Sequence, residues 1–457
     1  MEGYEAYGKM ELGNKKLSKR VEKTLDQLSS NPTASTSAAC KDAHQAKGAY
    51  RLLSNEKFTA EAVQETSRKE AVERIKASGE KVVLIPQDTT SISYGGLKCT
   101  EGLGNTNGYK NSLGLQLHSA IAVGESGQVY GLLSEKAWVR PSEELGKRAE
   151  RRTKPIEEKE SYKWLETVDK ADISSELEGV KCIYICDREG DIYELFAKAQ
   201  QEEKTYICRR CRERVIKTQT EARSISQHIT SLPKAGELEV TIPRDSHTGR
   251  EARTAKLELR YGKATIIKPS GGKYRKAMPE HVEVTIISVK EVDSSSAAEP
   301  LNWELITNDE VEILEDAKTI VTHYTQRWKI ETFHYVLKSG CAIEKLQAST
   351  TEKLIKLIAL YSVIALRIMT MTYLARTTPD ESCEAVMDQS EWKVLYKVVK
   401  KTKKAPEKPP TIYEAVLMLA KLGGFLARKS DGFPGVKVLW RGITSFYSIL
   451  DAAQFLA

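Results

Sequence analysis

A chain of 457 residues, 40% hydrophobic and 29% charged, is long enough to bury a sizeable core and to hold two to four domains. Its net charge of +7 is compatible with a polyanionic partner but too modest to establish one. Eight cysteines in so long a chain exclude a disulfide scaffold and point to a reduced, intracellular compartment, and the opening MEGYEAYGKMELGNKK has no apolar signal region.

Residues 1–75 read as polar helices, from the run LGNKKLSKRVEKTLDQLSSN through 43–53 to 58–74. Lys15, Lys16, Lys19, Arg20 and Lys23 lie close enough to line one side of this region, either as a phosphate-contacting face or as a solvated one. The β-prone apolar run 82–85 predicts a buried strand that Pro86 breaks, with Asp88 just beyond it in Gln-Asp-Thr-Thr. A turn-forming aspartate explains that position equally well. A glycine- and asparagine-rich loop, 101–111, leads to strands at 113–123 and 128–133 joined by a hairpin turn at 124–127. The first of these alternates as a half-buried strand should. The proline-marked segment 142–162, with Arg148, Arg151 and Arg152, reads as a charged connection entering a helix, solvated or facing a polyanion.

Further on, 180–186 (VKCIYIC) is a buried strand closed by Asp187, and Arg188, Glu189 and Gly190 form a turn before a helix that begins near Asp191. A following strand, 205–208, runs into Arg209 and Arg210. Cys208 and Cys211 form one CxxC, but Cys182 and Cys186 flank Ile183, Tyr184 and Ile185 in an apolar run. Those are core positions of a strand, where a structural zinc would want paired cysteines on turns. Five β-prone runs, 237–242, 255–261, 264–268, 281–288 and 301–307, predict a β-rich insertion over about 215–307. It contains Trp303, and a lone tryptophan in a strand ordinarily packs in a core. From 354 the chain turns helical, at 354–376, 391–400 and 411–457. The apolar stretch 357–366 is ten residues long, which fits a buried helix and not a membrane span. Residues 397–408 (KVVKKTKKAPEK) form a basic, proline-containing stretch suited to phosphate contacts.

The stretch 324–338, YTQRWKIETFHYVLK, organises the rest. On a continuous helix Tyr324, Arg327, Glu331 and Lys338 share a sector about 60° wide, so a carboxylate stands between a phenol and two cations. A solvated charged face explains this too. Glu331 and His334 also make an ExxH pair, but di-iron chemistry needs two copies and the sequence has one. The spacing Tyr-x2-Arg-x3-Glu-x6-Lys resembles the signature of the bacterial IS4-family DDE transposases, the group similar to the Tn5 transposase. CDREGDI around Asp187, Asp-Thr-Thr at Asp88, EKESYKW at 158–164 and AHQAKGAYRLLSN at 43–55 resemble further motifs of that family, in the same order.

The resemblance implies an α/β fold: an RNase H-like catalytic core over 76–345 interrupted by the β-rich insertion, a helical DNA-binding domain at 1–75 and a helical dimerisation domain at 346–457. It implies that Asp88, Asp187 and Glu331 are the catalytic, metal-binding acids, with Asp88 bridging two Mg2+ ions (or Mn2+) and the other two holding one each. Hard carboxylate oxygens suit magnesium without His or Cys. Tyr324, Arg327, Lys338, Arg209 and Arg210 are then expected to contact DNA, and Trp303 to hold an extruded base. The implied activity is cut-and-paste transposition: hydrolysis at the transposon ends, a hairpin intermediate, and transfer of the 3′-hydroxyl ends into target DNA. The partners are double-stranded DNA and, in the complex, a second copy of the chain. The setting is the bacterial cytoplasm and nucleoid, with no membrane. Two other readings stay open: a catalytically silent DNA-binding or inhibitory relative, and an RNase H-like nuclease without strand transfer.

Overall fold

The computed structural model describes residues 4–40, 42–97, 99–106, 112–141, 154–218, 221–242, 252–270, 278–292, 300–428 and 431–456; part of the expected loop, 107–111, and Arg148, Arg151 and Arg152 lie outside them. The chain divides into two units, one of Met1–Glu80, Thr89–Leu145 and Ile330–Ala457, the other of Lys81–Asp88 and Gly146–Lys329.

The first unit opens with helices α1 (Glu5–Gly8), α2 (Lys15–Ser30), α3 (Thr36–Ala39), α4 (Ala43–Leu53) and α5 (Ala60–Ser78). Short polar side chains set their starts: Asn14, Ser35, Asp42 and Thr59 each accept a backbone N–H of the first turn of α2, α3, α4 and α5. Val21, Leu25 and Leu28 form the fully buried stripe of α2. Strand β1 (Val82–Ser93) follows. Pro86 does not end it, because a φ near −65° is compatible with extended backbone, and pairing continues through the proline, which lies opposite Ile185. Asp88 is therefore inside a strand and not beyond its end. In the first unit the later part of β1 lies beside β3 (Leu113–Gly124), which also pairs antiparallel with β2 (Gly104–Asn105) and β4 (Val129–Trp138). The expected hairpin turn closes with Gly124 N–H donating to the Gln128 carbonyl at 2.9 Å.

The second unit contains α6 (Tyr162–Lys170), β5 (Lys181–Cys186), α7 (Tyr193–Gln201), β6 (Thr205–Arg209), β7 (Val215–Lys217), β8 (Ala222–Ser224), α8 (Ile225–Ser231), β9 (Gly236–Ile242), β10 (Arg253–Ile267), β11 (His281–Val292), β12 (Asn302–Thr307) and α9 (Leu314–Thr325). Its strand order is β1-β5-β6-β12-β11-β10-β7-β8, with β9 on β10. The β1, β5 and β6 strands are parallel, and β12 continues the sheet antiparallel from β6. The residues expected to form an inserted subdomain thus extend the same sheet. Two expected strands, 255–261 and 264–268, are the single strand β10, because Gly262 stays in the ladder opposite Ile286. A side chain at 262 would lie 2.5 Å from a Leu232 methyl, so this glycine marks a close approach and not a turn.

Helix α10 (Trp328–Tyr335) leads back into the first unit, which closes with α11 (Thr351–Thr377), α12 (Gln389–Lys400), α13 (Ile412–Leu422) and α14 (Val436–Leu456). By length and composition α11 could cross a bilayer, but 89% of its most apolar window is buried inside the protein. Helices α5 and α11 pack on β4, and β3 is buried at every residue after Leu113 instead of alternating. Helices α13 and α14 cross backbone to backbone: a Cβ on Gly442 would lie 1.8 Å from the Leu419 carbonyl oxygen.

Candidate active site

In the second unit, the pairing of Pro86 with Ile185 carries Asp88, two residues on, to the level of Asp187 on the neighbouring parallel strand. Paired residues of parallel strands project to the same face, so both aspartates stand on one face at the carboxyl end of β5. Just below them the Gln87 amide donates to the buried Cys186 sulfur at 3.3 Å, joining the two strands. Asp187 opens a 3-10 turn (Arg188–Gly190) and accepts the Glu189 N–H at 2.8 Å. Burial raises its carboxyl above the ordinary range; the Glu189 hydrogen bond, Arg327 and Lys163 oppose that effect without cancelling it. A carboxylate made uncomfortable by burial gains from any cation placed against it. Two aspartates so arranged offer only hard oxygens, a donor set that fits Mg2+ or Mn2+.

The CDREGDI motif holds a second aspartate with a different fate. Asp191 is fully buried, ion-paired with Arg214 at 2.5 Å, and accepts the Cys211 and Arg212 N–H groups at 2.8 and 2.7 Å. It fixes the chain after β6. Lys163, in the EKESYKW segment, is buried and bonds Glu189 at 2.9 Å. The sequence marked that segment as a helix start that resembles a family motif, without singling out its lysine. Its lysine instead bears on the Asp187 turn.

Beside the aspartates lies a cationic cluster. Tyr324 is buried, and burial pushes its phenol up to about 12 against the pull of Arg327 and Arg209. The Arg327 guanidinium lies 5.8 Å from the Tyr324 ring. Burial lowers Arg209, which feels Tyr324, Arg188 and Arg327. Arg188, which the sequence assigned only to a turn, thereby joins the cluster. Arg210 points to the other side of β6: it is bonded to Glu304, to Glu213 at 3.3 Å and to Ser226 at 3.1 Å, so its charge is matched inside the protein. Trp303 is 4% exposed and packs edge-to-face on Tyr324 (centroids 5.3 Å) and Trp328 (5.8 Å), the core role that a tryptophan in a strand ordinarily has.

The stretch 324–338 is not one helix. α9 ends at Thr325, Gln326 and Arg327 form a turn, α10 restarts at Trp328, and Val336–Gly340 is a π-helical turn. Hydroxyls bend the first break: Thr322 bonds the Lys318 carbonyl at 2.9 Å and Thr325 the Thr322 carbonyl at 2.6 Å. The shared 60° sector inferred from a uniform helix therefore does not apply. In the first unit, Glu331 is exposed on α10. His334, three residues on, is buried 3.4 Å from Ser119 Oγ, and burial lowers it to about 3, so the ExxH pair is split between surface and core. Lys338 donates to the Ser91 carbonyl at 2.9 Å and pairs with Glu344 at 3.5 Å, which ties the middle of the π-turn to the later part of β1. The structure thus brings together Asp88 and Asp187, and separately Arg209, Tyr324 and Arg327. Among the described residues no group of three or more His, Cys, Asp or Glu is arranged as a metal site.

The amino-terminal helices carry a second basic surface. A cleft of about 840 Å³ is lined by Lys16, Arg20, His44, Lys47, Arg51 and Lys57 among others. Of the cations expected here, Lys16 and Arg20 line the cleft, while Lys19 pairs with Glu22 at 2.8 Å. The α4 segment was marked by its family resemblance, but its cations His44, Lys47 and Arg51 were not singled out because they are interleaved with apolar residues.

Three family models match the sequence: transposase DNA-binding over residues 5–58, transposase DDE domain over 197–367, and transposase Tn5 dimerisation domain over 363–457. The class is that of the DDE transposases, with a DDE domain flanked by DNA-binding and dimerisation domains. The chain belongs to the IS4 family of that class, as a Tn5-like member. The match to the DDE domain includes Glu331 and begins after Asp88 and Asp187. Among solved structures the chain is similar to a piggyBac transposase, seen by cryo-EM in a synaptic complex with hairpin DNA, at 11% identity and a TM-score of 0.31. That likeness covers 70% of this chain and 55% of the other, and is too remote to carry an argument.

Proposed function

We propose that the protein is an active cut-and-paste transposase in which Asp88, Asp187 and Glu331 hold two divalent metal ions. The observation that carries this reading is the placement of Asp88 and Asp187 at one level on adjacent parallel strands, in a chain with a transposase DDE domain. When bound, Mg2+ ions would supply Lewis-acid activation of the attacking oxygen and charge relief for the leaving one. The side chains of the protein do the rest. Arg327 and Arg209 neutralise phosphates flanking the scissile bond, and Tyr324 buttresses both guanidinium groups. Lys338 serves the same end once DNA competes with Glu344 for its ammonium. A water oxygen attacks phosphorus at the transposon end and the bridging 3′ oxygen departs as a hydroxyl. That hydroxyl then attacks a phosphorus of the opposite strand, forming a hairpin and expelling the flanking DNA as its 3′-hydroxyl. A second water opens the hairpin, and each freed 3′-hydroxyl attacks a target phosphorus and displaces the 3′ oxygen of the target strand. Arg210 takes no part, and Trp303 can hold an extruded base only if its packing on Tyr324 and Trp328 opens. Residues 1–75 grip the end sequence, largely through the α2–α4 cleft. Residues 76–345 perform the chemistry, and residues 346–457 pair two copies on DNA within the bacterial cytoplasm.

The test is a cleavage and joining assay with purified protein, Mg2+ and a donor plasmid carrying the flanks of the element. Wild type is expected to release the segment and join it to a target plasmid, and Asp88→Asn, Asp187→Asn and Glu331→Gln to bind donor DNA without cutting it. Cleavage by all three variants would refute the site. Cleavage without joining by the wild type would make the protein a nuclease, and binding without cleavage a silent relative.

A further inference from the structure

We propose that the carboxyl-terminal end of α12 and the segment after it form a second, sequence-independent binding surface for duplex DNA, within the domain otherwise assigned to dimerisation. This rests on the reading of the protein as a DNA-transposing enzyme and adds a partner surface to it. Residues 393–408 hold seven lysines against the single acid Glu407, a net +6 out of +7 for the whole chain. Outside this segment the protein is almost neutral.

The surface is held in place by the fold. Helix α12 starts with a capping box, in which the Asp388 side chain accepts the Glu391 N–H and the Glu391 side chain accepts the Asp388 N–H. Trp392 and Leu395 are fully buried and seat the helix. Lys393, Lys397 and Lys400, spaced four and three apart, fall within about 60° of one another on a helix. The helix ends at Lys401 in the left-handed conformation, φ 52°, and a turn in which Thr402 bonds Lys404 carries the chain on to Lys408. Lys397, Lys400, Lys401, Lys403, Lys404 and Lys408 are all exposed. Among the described residues none of the six is in an ion pair, while lysines elsewhere, such as Lys163, Lys181, Lys204 and Lys338, are paired with acids.

Stabilisation of the helix end does not account for this charge. A helix carboxyl terminus amounts to about half a negative charge and is satisfied by one lysine, and like charges at i,i+4 cost about 0.2–0.5 kcal/mol. Lysine is a point charge on a flexible stem, suited to phosphate and unsuited to bidentate reading of bases. The patch also lacks the arginines, amides and exposed aromatic rings that would read sequence. A polyanion with evenly spaced phosphates is the partner that this composition fits.

The experiment uses the full chain with Lys397, Lys400, Lys403 and Lys404 all changed to Gln. Affinity for a labelled 30-base-pair random duplex is measured by fluorescence anisotropy across a salt series. Each lysine that neutralises a phosphate contributes about 0.9 to the slope of log K against log salt. The variant should therefore bind at least tenfold more weakly at low salt, with a slope shallower by about 2 to 4. Circular dichroism and the unfolding midpoint should match wild type, since all four side chains are exposed. A wild-type slope in the variant overturns the proposal and leaves the transposase reading intact, whereas a wild type that binds no duplex removes both. A variant whose sedimentation without DNA shows a changed oligomeric state also overturns the proposal, because the lysines would then be serving a protein partner.

Discussion

Glu135 offers a quantitative test of how the first unit is built. It lies on β4 opposite Ser119 of β3, 4% exposed, with its Oε2 accepting from Ser362 Oγ at 2.8 Å and from Ser119 Oγ at 3.4 Å. Burial raises its carboxyl from 4.5 to about 7, and the two hydroxyls only partly offset this. At about 1.36 kcal/mol for each tenfold change in proton affinity, the displacement is worth about 3 kcal/mol. The folded protein holds this proton more tightly than the unfolded chain. Its contribution to stability is therefore fully present below pH 4.5 and is lost as pH rises through 7. Glu135→Gln keeps the shape and the acceptor oxygen and removes the charge. Urea unfolding of both proteins at pH 5 and pH 8 isolates the effect, because every other titrating group cancels in the comparison. The variant should lose about 2–3 kcal/mol less than wild type between the two conditions. Parallel losses would mean that Glu135 is not held protonated in the core, and the arrangement of Ser119, Ser362 and the neighbouring His334 would have to be redrawn.

Arg209→Ala should weaken duplex binding with a salt slope shallower by about 1, whereas Arg210→Ala should leave the slope unchanged and lower the unfolding midpoint, since it strands Glu304. The same anisotropy series, read beside a denaturation curve, separates the two. Trp303→Ala should cost about 3–5 kcal/mol of stability through the lost aromatic packing, measurable by urea unfolding. Trp303→Phe should fold normally yet form hairpin ends poorly if the ring must hold a base. Gly442→Ala should destabilise the α13–α14 crossing, seen as faster proteolysis of the carboxyl-terminal region, because the Leu419 carbonyl leaves no room for a methyl group.

How much of this was legible in the sequence depends on whether the signal was local. Helix α4 was read to the residue, and α12 within two, because capping residues and apolar spacing are local. Strand β5 and the turn after Asp187 were read from VKCIYIC followed by charged residues and glycine. The errors came where tertiary contacts decide. Pro86 and Gly262 look like breaks, yet each sits within a ladder whose partner strand is distant in sequence. The uniform helix over 324–338 failed because threonine hydroxyls and a π-turn reset its phase, and periodicity assumes constant geometry. Arg209 and Arg210 looked equivalent in sequence. Only the acids on neighbouring segments show that one is consumed by the protein.

The same reasoning separates the two aspartates of CDREGDI, Asp187 and Asp191, whose surroundings sequence alone does not show. Asp191 has Arg214 paired with its Oδ1, two backbone donors on its Oδ2, and no exposed surface. Such a group is costly to move and presents no surface to a ligand. Asp187 receives one backbone hydrogen bond, remains partly accessible, and keeps a carboxyl that burial makes reluctant to ionise. Its nearby cations, Arg327 and Lys163, act at a distance and leave that reluctance uncorrected. An under-compensated carboxylate at a strand end is what a cation-binding position requires before its cation arrives. Asp191→Asn should therefore act first on folding, through the stranded Arg214, while Asp187→Asn should leave the unfolding midpoint unchanged or raised and abolish cleavage. If Asp187→Asn instead lowered stability as far as Asp191→Asn, the division of labour between them would be wrong.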